Sequence, residues 1–301
     1  MTTARPMGPI EWLLLMTLSV LWGGLFFFNE LAIEGFDPFS ATMWRAGIAG
    51  IALWVYLKLR GLSPPSTMAD WRAFLIMGAL NNLIPFTLIV WGQTEIDSNL
   101  ASIFNATIPL FTVLLAHFLT ADERLNWHKG LGVVIGIAGV AVVIGPDALD
   151  GLDGPMLSQL AVVAATISYA FAGIFGKRMT HYHLAQSAAG MLLGATIMSI
   201  PMAFLFGQPL SRSSTVVSLS GIVGLGTIST ALAYILYFRI PTSSGATNLL
   251  LVALLIPVSA GLMDVWFLGE TLTMDALWGM GLIALGVVAV DGRLLGATEN
   301  R

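Results

Sequence analysis

Apolar residues run along this chain in long blocks, and polar residues gather in the short breaks between them. About 20 apolar residues wound as a helix cross a hydrocarbon core of roughly 30 Å. Breaks rich in charge, Pro, Gly or Ser cut the chain into ten blocks of that size, at 10–33, 39–58, 71–93, 98–119, 128–145, 156–176, 184–206, 216–238, 243–267 and 273–291. The pattern predicts an all-α polytopic membrane protein of ten transmembrane helices, with short loops and no separate soluble domain. The opening block, Ile10 to Ile33, is too long for the apolar part of a signal peptide and has no clear small-residue cleavage site. It reads as a retained first span.

Composition sharpens the picture. Charged residues are 10% of the 301 positions, against about 25% in soluble domains, too few to cover a soluble surface. Hydrophobic residues are 56% and the mean hydropathy is +0.85. The net charge of −4 and the lack of any basic run exclude an electrostatic footprint for nucleic acid. With no cysteine, the chain has no disulfide, thiolate metal site or cysteine nucleophile. HExxH, GxSxG and phosphate-loop motifs are absent, so the expectation is no enzyme, no cofactor and no metal. His181 and His183 flank a loop, where two ligands make a poor metal site and interfacial histidines are the better reading.

Charge in the breaks sets orientation, because Lys and Arg stay on the cytoplasmic side. With the N-terminus inside, the inner segments hold Arg5, Lys58, Arg60, Arg72, Arg124, Lys129, Lys177, Arg178, Arg239, Arg293 and Arg301, whereas the outer loops hold only Arg212. The outer loops carry Asp37, Asp97, Asp147, Asp150, Asp153 and Asp275 instead. Both termini are therefore expected in the cytoplasm.

A faint self-match appears when the chain is shifted by about 147 residues. Trp22 falls on Tyr169, Glu123 on Glu270, Leu125 on Leu272, Gly132 on Gly279, Gly139 on Gly286 and Val140 on Val287. Pro109 and Pro257 pair one residue out of register. The chain thus divides into repeats 1–147 and 148–301 within one integrated membrane domain. Five spans per repeat is an odd number, so the second repeat enters the membrane from the opposite side. Two inverted five-helix repeats are the sequence sign of a secondary transporter with a site near the midplane.

The segment LSVLWGGLFFFNELAIEGFDPFSATMWRAG, with Trp22-Gly23, Pro38 and Arg45, resembles the opening of the drug/metabolite transporter superfamily, its EamA family in particular. SIFNATIPLFTVLLAHFLTADERLN and LLLVALLIPVSAGLMDVWFLGETLT are similar to that family's paired Pro…Glu-Arg/Thr-Leu signature, once per half. The resemblance runs from about Leu13 to Asp291. It departs at Thr120-Ala121-Asp122 before Glu123, where the family usually shows a Gly. The resemblance implies ten helices in a five-plus-five inverted repeat and export of small metabolites. Length and aromatic richness are most similar to the YddG-type amino-acid exporters. The resulting expectation is a multi-pass protein of the bacterial inner membrane that exports small amphipathic metabolites by alternating access, amino acids above all, including aromatic or apolar ones. Export of other metabolites or drugs on the same fold stays open. So do a non-transporting scaffold and an intramembrane enzyme. Expected partners are a small-molecule substrate and the lipid bilayer, with a homodimer open.

Polar groups inside spans are the candidate site, since each needs a partner or a wet cavity. The third span offers Asn81, Asn82, Pro85 and Phe86. Pro85 lacks an N–H and so frees the carbonyl of Asn81, while Asn82 and Phe86 share a face that continues to Gln93. Pro109 and Pro257 are candidate hinges in the fourth spans, a static bend that lets helices pack being the alternative, and Asn105 and Asn248 are further polar candidates. Trp22, Tyr169, Tyr234 and Tyr237 are candidate substrate walls, packing between helices being the alternative. Trp12, Trp71, Trp127, Trp91, Trp266 and Trp278 fall at the two interfaces as a belt. Glu30 and Arg45, at comparable depth, are a candidate ion pair that either holds an outer gate or, as the favoured reading, staples two helices. Asp264 and His117 sit near span ends, which predicts no carboxylate relay at mid-membrane. Glycines at 132, 136, 139, 279 and 286, and at 190 and 194, read as stripes for close helix approach.

Overall fold

Helix starts in this chain are written by short polar side chains placed just before apolar runs. Asp37 caps one helix by accepting from the backbone N–H groups of Phe39 and Ser40, both at 3.0 Å. Thr67, Asn126, His183 and Thr215 cap four others in the same way. Each supplies an acceptor for the N–H groups that the first helical turn leaves unpaired. His183 is thereby spent as a cap.

The computed structural model describes residues 9–63, 67–120, 125–145, 154–210, 214–239 and 246–291. Glu123, Arg124, Arg212, Asp147, Asp150, Asp153, the chain ends with Arg5, Arg293 and Arg301, and the side chain of Asn248 lie outside the described residues. The elements are α1 (Pro9–Ile33), α2 (Pro38–Leu59), α3 (Met68–Gly92), α4 (Ser98–Leu119), α5 (Trp127–Ile144), α6 (Gly154–Met179), α7 (Leu184–Phe206), α8 (Val216–Tyr237), α9 (Ala246–Met263) and α10 (Met274–Asp291). No strand occurs among the described residues. Seven of these helices, α1 and α3 to α8, are long and apolar enough to cross a membrane, and Val252–Leu268 and Met274–Val290 are shorter apolar helices. Large apolar side chains lie exposed along the outside: Leu205 is 75%, Val134 65% and Trp278 66% exposed. A soluble monomer does not present apolar surface on that scale, so the outer solvent is lipid.

The main helix pairs are α5 with α10, α2 with α7, α1 with α9, α1 with α8, the second half of α3 with α6, and α3 with α7. The second part of α4 also packs on α6, and α8 on α2. Exchanging each helix for the one five later leaves this set unchanged: α1·α9 becomes α6·α4, α1·α8 becomes α6·α3, and α2·α8 becomes α7·α3. The α5–α10 contact is built on glycine. A Cβ added at Gly132 would stand 2.6 Å from the carbonyl of Gly286, and one at Gly139 would stand 2.9 Å from the carbonyl of Gly279. The two helices therefore run antiparallel with backbones in contact. Gly190 lies against the ring of Phe74 and Gly194 against its carbonyl, bringing α7 onto α3.

Candidate functional site

The centre of the molecule forms where α3 and α8 both leave regular helix. Ala79–Leu83 in α3 and Thr227–Leu232 in α8 are π turns. Shifted by 147 residues, the first falls on 226–230, so the two wide turns occupy matching places in the two halves. Such insertions recur at functional sites because they turn side chains and carbonyls out of the helical ladder. In α3 the wide turn also absorbs the proline. Ile84 N–H bonds to the Ala79 carbonyl, five residues back. In that register the group missing its donor at Pro85 is the Leu80 carbonyl, rather than the Asn81 carbonyl that an α register predicts. Ser168 of α6 donates to it at 2.7 Å.

Side chains from both halves meet on these turns. Asn81 Nδ2 donates to the Tyr234 hydroxyl at 3.1 Å and points to the sulfur of Met191 at 3.7 Å. Asn82 is fully buried, and neither its Nδ2 nor its Oδ1 has a hydrogen-bond partner. Phe86, one turn on, is buried and carries the Arg45 guanidinium 3.5 Å above its ring centroid. Arg45 Nε donates to Thr230 Oγ1, on the second π turn, at 3.1 Å. The ionisable groups facing the guanidinium are the Tyr169 and Tyr234 hydroxyls. Trp22 of α1 stands 6.1 Å from Tyr237 of α8, centroid to centroid, and Tyr169 packs on the same apolar core. Beside this cluster a crevice of about 220 Å³ opens between α1, α8 and α9, lined in part by Val20, Phe27, Ile228, Ser229 and Phe267.

Arg45 and Glu30 do not pair. Arg45 turns inward to Phe86 and Thr230, whereas Glu30 meets the amide of Gln93 at 3.5 Å. Their equal depth along the chain placed them side by side only if α1 and α2 packed closely. The principal neighbours of α1 are α8 and α9 and that of α2 is α7, so the two side chains face different helices. Gln93 ties α3 to α1 by donating to the Phe26 carbonyl at 2.9 Å and accepting from Asn29 at 2.8 Å.

The fourth helices of the two halves differ. α4 breaks at Ala106–Thr107, two residues before Pro109, and Asn105 at that break is buried with an unpartnered Oδ1. α9 runs through Pro257 without a break and widens later, at the π turn Asp264–Leu268, which Gly269 ends at φ 71°. A side chain there would be strained, and Gly suffers least from this backbone. Beyond it Glu270 takes the backbone N–H groups of Ser98 and Asn99, at 3.2 and 3.3 Å, and the Asn99 amide. Asp264 is buried with both oxygens unpartnered. At the opposite end Tyr182, between α6 and α7, donates to Asp70 at the start of α3. That carboxylate partner, more than burial, holds the Tyr182 hydroxyl above its ordinary pKa. No group of three His, Cys, Asp or Glu side chains fit to hold a metal occurs among the described residues.

Thr230, Ser168 and the two π turns carry no distinctive signal in the sequence, because a hydroxyl in an apolar helix normally bonds to its own preceding turn. Arg45, a charge inside an apolar block, does carry one.

The EamA-like transporter family model matches the chain twice, at residues 10–145 and 156–290. The uncharacterized inner membrane transporter YedA of Escherichia coli (strain K12) is 27% identical over 92% of this chain and 89% of its own. The uncharacterized transporter YoaV of Bacillus subtilis (strain 168) is 22% identical over 91% and 94%. A protein of Streptantibioticus cattleyicolor named as a probable terminal-alkyne amino-acid exporter is 26% identical over 95% and 94%. One solved crystal structure superposes with a TM-score of 0.69 at 20% identity, covering 97% of this chain and 99% of its own, a likeness of fold. Two copies of one family unit, one per half and meeting on matched π turns, place this multi-pass membrane protein in the EamA-like transporter family.

Proposed function

We propose that the chain is a secondary transporter that exports small amphipathic metabolites, amino acids including aromatic or apolar ones, by alternating access. It crosses the bacterial inner membrane ten times with both termini in the cytoplasm, as two inverted five-helix repeats, 1–147 and 148–301. The observation that carries this reading is the polar and aromatic cluster around the two π turns, in which Asn82 and Phe86 are buried and the other side chains half-buried. Asn81, Asn82, Tyr169 and Tyr234 offer donors and acceptors, and Trp22, Phe86 and Tyr237 offer apolar faces. A zwitterion with an apolar side chain needs both kinds of group, and the neutral amides and hydroxyls hold it without the high cost of many buried charges.

Inversion is supported by the α5–α10 contact. Gly132 meets Gly286 and Gly139 meets Gly279, and these are equivalent positions taken crosswise. A two-fold axis that reverses helix direction generates that pattern. The break before Pro109 and the π turns supply points where helices can bend between states. The relative named as a probable amino-acid exporter favours amino acids among the metabolites.

Reconstituted in liposomes, the purified protein is expected to move labelled amino acids down their gradients, apolar and aromatic ones fastest. Absence of flux across a panel of all proteinogenic amino acids overturns the amino-acid assignment.

A further inference from the structure

Arg45 is 3% exposed, eight residues into α2, with hydrocarbon outside the bundle and neutral groups around it. One edge of its guanidinium is anchored, Nε to Thr230 and the flat face on Phe86. Nη1 is buried and has no hydrogen-bond partner. The nearby ionisable groups are tyrosine hydroxyls, which bring no negative charge. The carboxylates of the outer end do not reach it: Glu30 meets Gln93, Glu270 meets Ser98 and Asn99, and Asp264 stands apart on the π turn after α9. An aromatic face and a hydroxyl ease the burial of a guanidinium. They do not neutralise it, and a buried charge is ordinarily paired.

We infer that the counter-ion of Arg45 is the carboxylate of the transported molecule, bound at the free Nη1 edge between the two π turns. A planar guanidinium held at Nε and on one face presents its remaining N–H groups in a fixed direction, the geometry that suits a carboxylate. Asn82, on the same face one turn from Phe86, adds an unpartnered donor in Nδ2 and an unpartnered acceptor in Oδ1. The proposal rests on the transport reading above and narrows it from amphipathic metabolites to carboxylates. It also assigns Arg45 a role that an outer gate pair with Glu30 would not give it. A neutral amine or amide of the same shape leaves the guanidinium unpaired and is rejected for that reason.

The test compares probes that differ in one group. Binding to the detergent-purified protein is measured by calorimetry, and efflux in liposomes, for L-phenylalanine, L-phenylalaninamide, phenethylamine and 3-phenylpropanoate, then for the leucine series in the same four forms. The wild-type protein is expected to bind and move the two carboxylates of a series at least ~30-fold better than its amide and amine. This comparison needs no variant. Arg45→Gln should abolish the preference, and Arg45→Lys should keep part of it, both checked for folding by thermal unfolding. An amide or amine handled as well as its acid, an unchanged preference in a folded Arg45→Gln protein, or no carboxylate bound at all overturns the assignment of Arg45. If 3-phenylpropanoate and its aliphatic analogue are moved but no amino acid is, the amino-acid reading fails while Arg45 keeps its role.

Discussion

At Asn82 the demands of folding and of transport point in opposite directions. Its amide is fully buried with neither atom bonded, so it contributes a desolvation penalty of about 1–3 kcal/mol instead of a hydrogen bond. Replacement by Leu, which has the same branched shape but is apolar and bulkier, is expected to leave thermal unfolding unchanged or shift it upward. Amino-acid efflux should fall at least tenfold. A residue kept for packing gives the reverse, and normal efflux from a stable Asn82→Leu protein removes Asn82 from the site. Asn82 was legible in the sequence because an amide in the middle of an apolar block needs explaining. Thr230 and Ser168 were not, since a hydroxyl in a helix is unremarkable until its partner on another helix is known. Arg45 stands out as a charge inside an apolar block, but depth along a helix says nothing about azimuth, so the sequence does not tell that it faces Phe86 and Thr230 and not Glu30.

Helix by helix, the apolar blocks and the helices agree closely: 98–119 and 184–206 coincide with α4 and α7. Length and hydropathy fix such ends, because a span must match the hydrocarbon thickness and caps stand at its edges. The π turns escaped because one extra residue in a turn changes neither composition nor length detectably. The glycine stripes were legible as small faces, and the fold adds which helix each face meets. On α5 the Gly139 face leaves no room: a Cβ there lies 2.8 Å from the Ile283 backbone nitrogen. Gly139→Ala is expected to force α5 from α10 and cost about 1–3 kcal/mol, read as a lower unfolding temperature. Gly130, on the same helix but with open space around it, is the control, and Gly130→Ala should gain about 0.5–1 kcal/mol from helix propensity. Equal effects at both positions would show that the α5–α10 contact is not close-packed.

Across the whole molecule, the exchange that maps one half onto the other also relates its two ends. At one end the Gln208 N–H donates to Asp37 at 2.7 Å, joining the loop after α7 to the start of α2. At the other, Gln186 at the start of α7 donates to the Ser63 carbonyl, after α2, at 2.6 Å. Shifted by 147, Asp37 falls on 184 and Gln208 on 61, so each tie has its counterpart at the opposite end. Alternating access requires the two to open in turn, each exchanging a few hydrogen bonds for solvent at modest net cost. With no native cysteine, thiols can be placed at will. Asp37→Cys with Gln208→Cys fixes one end, and Ser63→Cys with Gln186→Cys the other, each closed by a cleavable bifunctional maleimide. Either cross-link alone is expected to abolish most efflux, and cleaving the linker should restore it. A pore or a static scaffold is indifferent to both. If one fixed end leaves efflux at its original rate, the halves do not rock about the central site, and the matched ties are only packing.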